Sequence, residues 1–366
     1  MKSKKSENTE FDVDESNDDD QDTDHVVMNE FDIATYPSDL TLSVLNEMWK
    51  NQDITIPPYQ RKFVWSLKQA SMLIESFLLG LPVPQVFFYL DDENKNLVID
   101  GQQRIMTVVY FLEGYFGEEA ASGRRKVFRL SGLNKKSPYY NKSFSELTES
   151  DQRKLKGRVL RAVNIRQMSP VGESTSQYHI FERLNTGGTP LKPQEIRNCV
   201  YAGPFVKLLR DLNTMESWRK IIGQKAISKT QRDVELILRV FSFYDRFESY
   251  EKPMKEFLNT TMAKHKKGNT ESVKKFELLF PKACDLIIQK LGEKPFHVRG
   301  PINLATLDSV MTVYLKSISK LKENHLEAFE KLKNDASYKE STYFNTSDGT
   351  AVNDRMRLAT KYLVKK

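Results

Sequence analysis

Cysteine is nearly absent from this chain, with two in 366 residues, Cys199 and Cys284. They lie far apart in apolar-periodic segments, which excludes a disulfide framework. They read as buried thiols of a protein kept in the reducing cytoplasm. Neither has zinc-ligand spacing. The five histidines, His25, His179, His265, His297 and His325, are scattered. None forms a His-Glu-x-x-His pair or a Cys/His zinc arrangement. No apolar run approaches the eighteen or so residues of a membrane helix, and the N-terminus lacks the apolar core of a signal peptide. A Walker lysine loop, a G-x-G-x-x-G turn and internal repeats are also missing.

What is present is charge, unevenly placed. The first 32 residues hold twelve Asp/Glu and three Lys, net −9. The other 334 carry 53 Lys/Arg against 37 Asp/Glu, net +16. A basic body suits a polyanion, nucleic acid or nucleotide, although solubility alone accounts for such a balance equally well. The acidic start cannot bury enough apolar surface to offset chain entropy, so it reads as disordered. With 39% apolar residues, the remainder is long enough for two domains.

The stretch with the most chemistry is Asn96-Leu97-Val98-Ile99-Asp100-Gly101-Gln102-Gln103-Arg104. Leu97 to Ile99 read as a buried strand, and Gly101 supplies the freedom for a sharp turn. Ile105, Val108, Val109, Leu112 and Phe116 then follow helical spacing. A helix start offers unpaired N–H groups and the positive dipole end, which suits an anion. Arg104 adds a planar fork for phosphate oxygens, and the Gln amides can bond phosphate, sugar or base. Asp100 can accept from a ribose hydroxyl, hold Mg²⁺ or orient water. The plainer reading is a strand–helix corner with Asp100 as a cap and Arg104 in an ion pair.

Together with Ile56-Pro57-Pro58-Tyr59-Gln60-Arg61-Lys62-Phe63-Val64-Trp65, this stretch resembles the N-terminal domain of GmrSD-type modification-dependent restriction endonucleases, within the ParB/sulfiredoxin-like superfamily. Phe181-Glu182-Arg183-Leu184-Asn185 resembles that family's second motif, and the similarity spans about residues 38–200. The resemblance implies a pocket shared by Tyr59, Gln60, Arg61, Gly101, Gln102 and Asn185. Gln103 and Asn185 are expected to converge there. Asn185 reads equally well as a C-terminal helix cap. Many relatives carry a C-terminal HNH-type nuclease module; no segment here looks like one, so the chain reads as a stand-alone member and cleavage has no visible catalyst.

Elsewhere the reading is structural. Ser38 or Asp39 is expected to cap a helix with Leu42, Leu45 and Trp49 inward. Ile54 to Ile56 read as a short strand. Ser66 with Gln69 makes a capping box for a helix that ends at Gly80 and carries Met72, Leu73, Ser76, Phe77 and Leu79. Val86 to Leu90 and Leu97 to Ile99 form a hairpin. Val127 to Leu130 and Val159 to Ile165 are further strands, and Thr148 opens a helix stopped by Gly157. Lys135, Lys136, Tyr139 and Tyr140 suit single-stranded nucleic acid less well than a solvated loop. From Ser174 the pattern is helical, with segments over 205–212, 233–247, 252–264, 272–291, 303–332 and 354–364. Asp233, Glu235 and Arg239 read as a polar network, and a catalytic carboxylate pair there is the minority reading.

The expected architecture is α+β. An acidic tail spans 1–35, a ParB-like nucleotide-binding domain 36–170, and a mainly helical domain 171–366. By resemblance, the expected function is a nucleotide-binding and nucleotide-hydrolysing module of a bacterial DNA-modification or phage-defence system. Asp100, Gln103 and Arg104 are its expected catalytic residues, and Mg²⁺ on Asp100 with a nucleoside triphosphate its cofactors. Its expected partners are nucleotide, DNA and a separate nuclease or modification-system subunit, with no membrane. Two rivals stand beside it: a DNA-binding regulator whose pocket is a nucleotide switch, and a metal-dependent nuclease using Asp100.

Overall fold

The computed structural model describes residues 32–56, 63–90, 94–117, 125–169, 175–184, 191–224, 226–228, 230–298 and 300–365. The fold is α+β. The chain divides into two compact units, one made of Glu30–Gly172 and His179–Pro190, the other including Glu173–Tyr178 and Leu191–Lys366.

The first unit is built on a mixed sheet of β1 (Asp32–Thr41), β2 (Ile54–Thr55), β3 (Val86–Leu90), β4 (Asn96–Asp100) and β7 (Val159–Ser169), in the order β1-β7-β3-β4-β2. β3 and β4 form the expected antiparallel hairpin, β7 joins β3 in parallel, and β2 joins β4 in parallel. A separate ribbon pairs β5 (Tyr115–Phe116) with β6 (Lys126–Val127). Val86, Phe88, Val98, Leu160 and Ala162 project from the sheet into the core formed with α1 (Leu42–Lys50), α2 (Leu67–Leu79), α3 (Gln102–Glu113) and α4 (Glu149–Lys156). Each such side chain removed from water contributes about 1.5–3 kcal/mol for a valine, leucine or phenylalanine.

Several boundaries differ from the sequence reading. Residues 1–31, the bulk of the expected acidic tail, lie outside the described residues, and 32–35 belong to β1. β1 continues through Ser38 and Asp39, so neither caps a helix; Thr41 does, accepting from the Val44 N–H. Pro37 inside β1 hid the strand in sequence, yet an edge strand tolerates a residue that cannot donate. The Ser66–Gln69 capping box is present, and Gly80 closes α2 in the left-handed conformation. Met72 and Leu79 are exposed, and Ala70, Ser71, Ile74 and Leu78 face inward with Leu73 and Phe77. Phe116 belongs to β5 and not to the helix, because Gly114 ends α3 at a positive φ.

The second unit is helical. Its elements are α6 (Pro193–Val200), α7 (Pro204–Asn213), α8 (Glu216–Ile221), α9 (Arg232–Arg246), α10 (Met254–His265), α11 (Glu271–Leu291), α12 (Leu304–Ser317), α13 (His325–Asn334), α14 (Ala336–Tyr343) and α15 (Gly349–Leu363). Ahead of them, α5 spans Ser176–Leu184. The continuous helix expected over 303–332 is broken after Ser317, where a 3₁₀ turn leads to Leu321, which bridges Val364. Asp233 meets Arg219 at 2.7 Å, Glu235 meets Arg197 at 2.8 Å and Arg239 meets Asp308 at 2.8 Å. Each charge taken out of water thus finds its own partner. Both cysteines are buried and free, and burial pushes the Cys199 thiol up to about 12. No described helix is long and apolar enough to cross a membrane.

Candidate functional site at the turn from β4 to α3

Asp100 closes β4, Gly101 turns the chain and Gln102 opens α3, as the residue pattern requires. Gly101 has φ +102°, and a Cβ there would lie 2.3 Å from Val86 Cγ1. Only glycine fits both the conformation and the close approach to β3. Phe87 stands opposite Asp100, and the ladder slips by a bulge between Phe87 and Phe88. Such bulges bend a strand and re-aim its side chains. Gly101, the N-cap, has no side chain to cap α3. The start of α3 carries the helix's partial positive charge.

Arg104 reaches back across the turn. Its Nη2 donates to Asp100 Oδ2 at 2.5 Å and to the Gln85 carbonyl at 3.0 Å. The Arg104 side chain is 17% exposed and that of Asp100 34%. Arg104 Nε is buried with no acceptor. The ion pair of the plainer reading is therefore real, but it spans from strand end to helix and is half enclosed, which a surface pair is not.

Gln103 faces another wall. Its Oε1 accepts from the Val64 N–H at 2.9 Å and the Trp65 N–H at 3.2 Å. Phe63 packs edge-on against Tyr110 of α3 and Phe116 of β5, with ring centroids 5.1 and 5.5 Å apart. Gln103 and Phe63 together anchor the chain where it leaves residues 57–62. The amide oxygen assigned to catalysis from sequence thus holds backbone. That role has no sequence signature, since its partners lie 38 and 39 positions away. Gln85 was missed for a similar reason, because it acts through its carbonyl.

The remaining sequence candidates divide. Gln102 sits half-buried at the first position of α3. Tyr59, Gln60, Arg61 and Asn185 lie outside the described residues. So does the expected convergence of Gln103 with Asn185. In the second motif, Phe181 is fully buried and Glu182 lies 3.9 Å from His179 Nδ1. For the expected Mg²⁺, Asp100 offers one carboxylate whose Oδ2 already holds Arg104. No group of three or more His, Cys, Asp or Glu gathers among the described residues. This set fits Mg²⁺ only in the manner where substrate phosphates and water complete the shell around one or two protein carboxylates.

The chain can thus present, at one sheet end, a helix start with a glycine N-cap, a fixed guanidinium and one carboxylate. This is an arrangement for orienting an anion. Among curated proteins none matches the chain. A family model does, that of the GmrSD restriction endonuclease N-terminal domain, over residues 42–202. That span holds β2, β3, β4, the turn and α3 together with α5 and α6. Residues 42–202 of this chain belong to the GmrSD restriction endonuclease N-terminal domain family.

Proposed function

We propose that the chain is the nucleotide-binding and nucleotide-hydrolysing component of a restriction or phage-defence system, acting with DNA and a separate nuclease or modification subunit. The observation that carries this reading is the turn itself. In a domain of a restriction family, a helix start with a glycine N-cap lies beside an arginine fixed by Asp100 and Gln85. Phosphoryl transfer asks mainly for positioning and charge stabilisation, and these groups supply both. The N–H groups of α3 orient phosphate oxygens, Arg104 neutralises them, and Asp100 positions water or holds Mg²⁺ brought by the nucleotide. The ion, when bound, neutralises charge on the phosphoryl oxygens.

The test is calorimetric titration with each of the four ribonucleoside triphosphates and Mg²⁺, followed by phosphate release with and without DNA. Binding of one nucleotide with turnover is expected. Failure to bind any of the four overturns the reading. The Asp100–Arg104 pair favours a second reading, since a carboxylate held by arginine is less available to activate water. The pocket would then be a switch in a DNA-binding regulator. Nucleotide binding without phosphate release, together with salt-dependent DNA binding, selects it.

A further inference from the structure

Arg104 is committed to Asp100 and to the Gln85 carbonyl. A second arginine at the same end of the sheet is not. Arg158, just before β7, lines a cleft of about 570 Å³ with Gly80, Leu81, Gln85, Gly157 and Arg161. Its guanidinium packs against the end of α2, where a Cβ on Gly80 would come within 2.9 Å of Nη2 and 3.3 Å of Cζ. The α2 carbonyls of Ser76 and Phe77 are already taken by the Leu81 and Gly80 N–H groups. Among the described residues no carboxylate pairs with Arg158, and its Nε is buried without an acceptor. Arg161 is held only at 3.2 Å by Asp39, with both side chains more than half exposed.

The cleft and the turn share a wall. Gln85 lines the cleft while its carbonyl holds Arg104. Val86, the next residue, touches Gly101 and stands in register with Ala162, the residue after Arg161. The volume is in the range of small-ligand sites, about 300–1,000 Å³. Leu81, Pro82 and Val83 add an apolar wall. The C-terminal end of α2 carries partial negative charge, so an anion in this cleft depends on the two arginines.

We infer that this cleft receives the outer phosphates of the nucleotide held at the turn, with Arg158 as a second cation beside Arg104. The inference rests on the nucleotide-binding reading of the neighbouring turn. It adds the unpaired arginine to the paired motif arginine at the anion, and makes Arg158 a determinant of phosphate number.

The experiment titrates wild type, Arg158→Gln, Arg161→Gln and the control Arg153→Gln with the nucleoside triphosphate that wild type binds and with its monophosphate. The Arg153 side chain on α4 is 74% exposed and does not line the cleft. Arg158→Gln is expected to weaken triphosphate binding about ten- to hundredfold, the range for a lost charged hydrogen bond. Monophosphate binding should change far less, so the preference for triphosphate collapses. Arg161→Gln should lower that preference to a smaller degree, and Arg153→Gln should not move it. A purely structural Arg158 would weaken both ligands alike. An unchanged preference in Arg158→Gln overturns the inference while leaving nucleotide binding at the turn intact. If Arg158→Gln does not fold, Arg161→Gln decides, and an unchanged preference there overturns it. Absence of binding by wild type overturns this inference and the functional reading together.

Discussion

Asp100 and Arg104 form a 2.5 Å ion pair across the strand-to-helix turn. The same Arg104 nitrogen also holds the Gln85 carbonyl. The residue before β3, the end of β4 and a helix start are therefore tied through one guanidinium. Arg104→Ala should lower stability by about 1–3 kcal/mol through the Asp100 charge and the Gln85 carbonyl left behind. Arg104→Lys should recover only part, since a point charge does not replace the planar fork. Denaturant melts of both variants check this, and a wild-type midpoint for the alanine variant would show the pair to be idle.

Gly101 is held by conformation and by space. Gly101→Ala combines a positive φ, costing about 1–3 kcal/mol for a residue with a Cβ, with a contact 2.3 Å from Val86 Cγ1. Overpacking of this kind costs about 1–3 kcal/mol more. Val86→Ala in the Gly101→Ala background should relieve the contact with Cγ1, while a 2.7 Å approach to Val86 Cβ and the backbone strain remain. The two changes together should then cost less than their sum, and additive losses in thermal melts would refute the contact.

In the helical unit, Asp308 is fully buried and faces two arginines, Arg239 at 2.8 Å and Arg355 at 3.7 Å. Removing the carboxylate leaves both cations without it. Asp308→Ala should cost about 3–5 kcal/mol, the range for a broken buried pair, and should impair folding. Asp211→Ala, in the exposed Lys207–Asp211 pair of α7, should cost at most about 1 kcal/mol. Equal effects in equilibrium unfolding would contradict the burial argument.

Glu146 accepts from both terminal nitrogens of Arg129, at 2.5 and 2.7 Å, and from the Ser143 N–H at 2.8 Å. The Arg129 guanidinium, seconded by that N–H, holds its carboxyl well below the ordinary 4.5, at about 2. A depressed folded-state pKa gives stability that is present above the unfolded value and lost as pH falls toward the folded one. Wild type should therefore lose melting temperature between pH 4.5 and 2 more steeply than Glu146→Gln does. Parallel curves for the two proteins would show that the interaction contributes nothing measurable.

A last prediction concerns cleavage. Purified protein should leave plasmid and modified phage DNA intact with Mg²⁺ or Mn²⁺, because two-metal hydrolysis needs several converging carboxylates and Asp100 stands with Arg104 instead. Metal-dependent cutting that disappears in Asp100→Ala would reverse this.

Local rules were enough for the hairpin, the Gly101 turn, the capping boxes and the run of helices. Each depends on residues within a few positions of one another, so Ser66 with Gln69, Thr148 with Asp151 and the apolar run of Val86 to Leu90 are legible without the fold. β1 was not legible. Its hydrogen bonds go to β7, where Asp39 stands opposite Arg161, and its composition, with Pro37 and two aspartates, favours loop over strand. The break after Ser317 was hidden likewise, since the apolar pattern runs on and the bridge from Leu321 to Val364 is made by a distant segment. At the site, residue types announced a polar turn, but not how each polar group is used. Gln103 spends its oxygen on Val64 and Trp65, and Arg104 its nitrogen on Asp100 and Gln85. Arg158 is left unpaired over Gly80. A buried polar atom takes whichever partner the packed chain brings within reach, so that assignment belongs to tertiary structure alone.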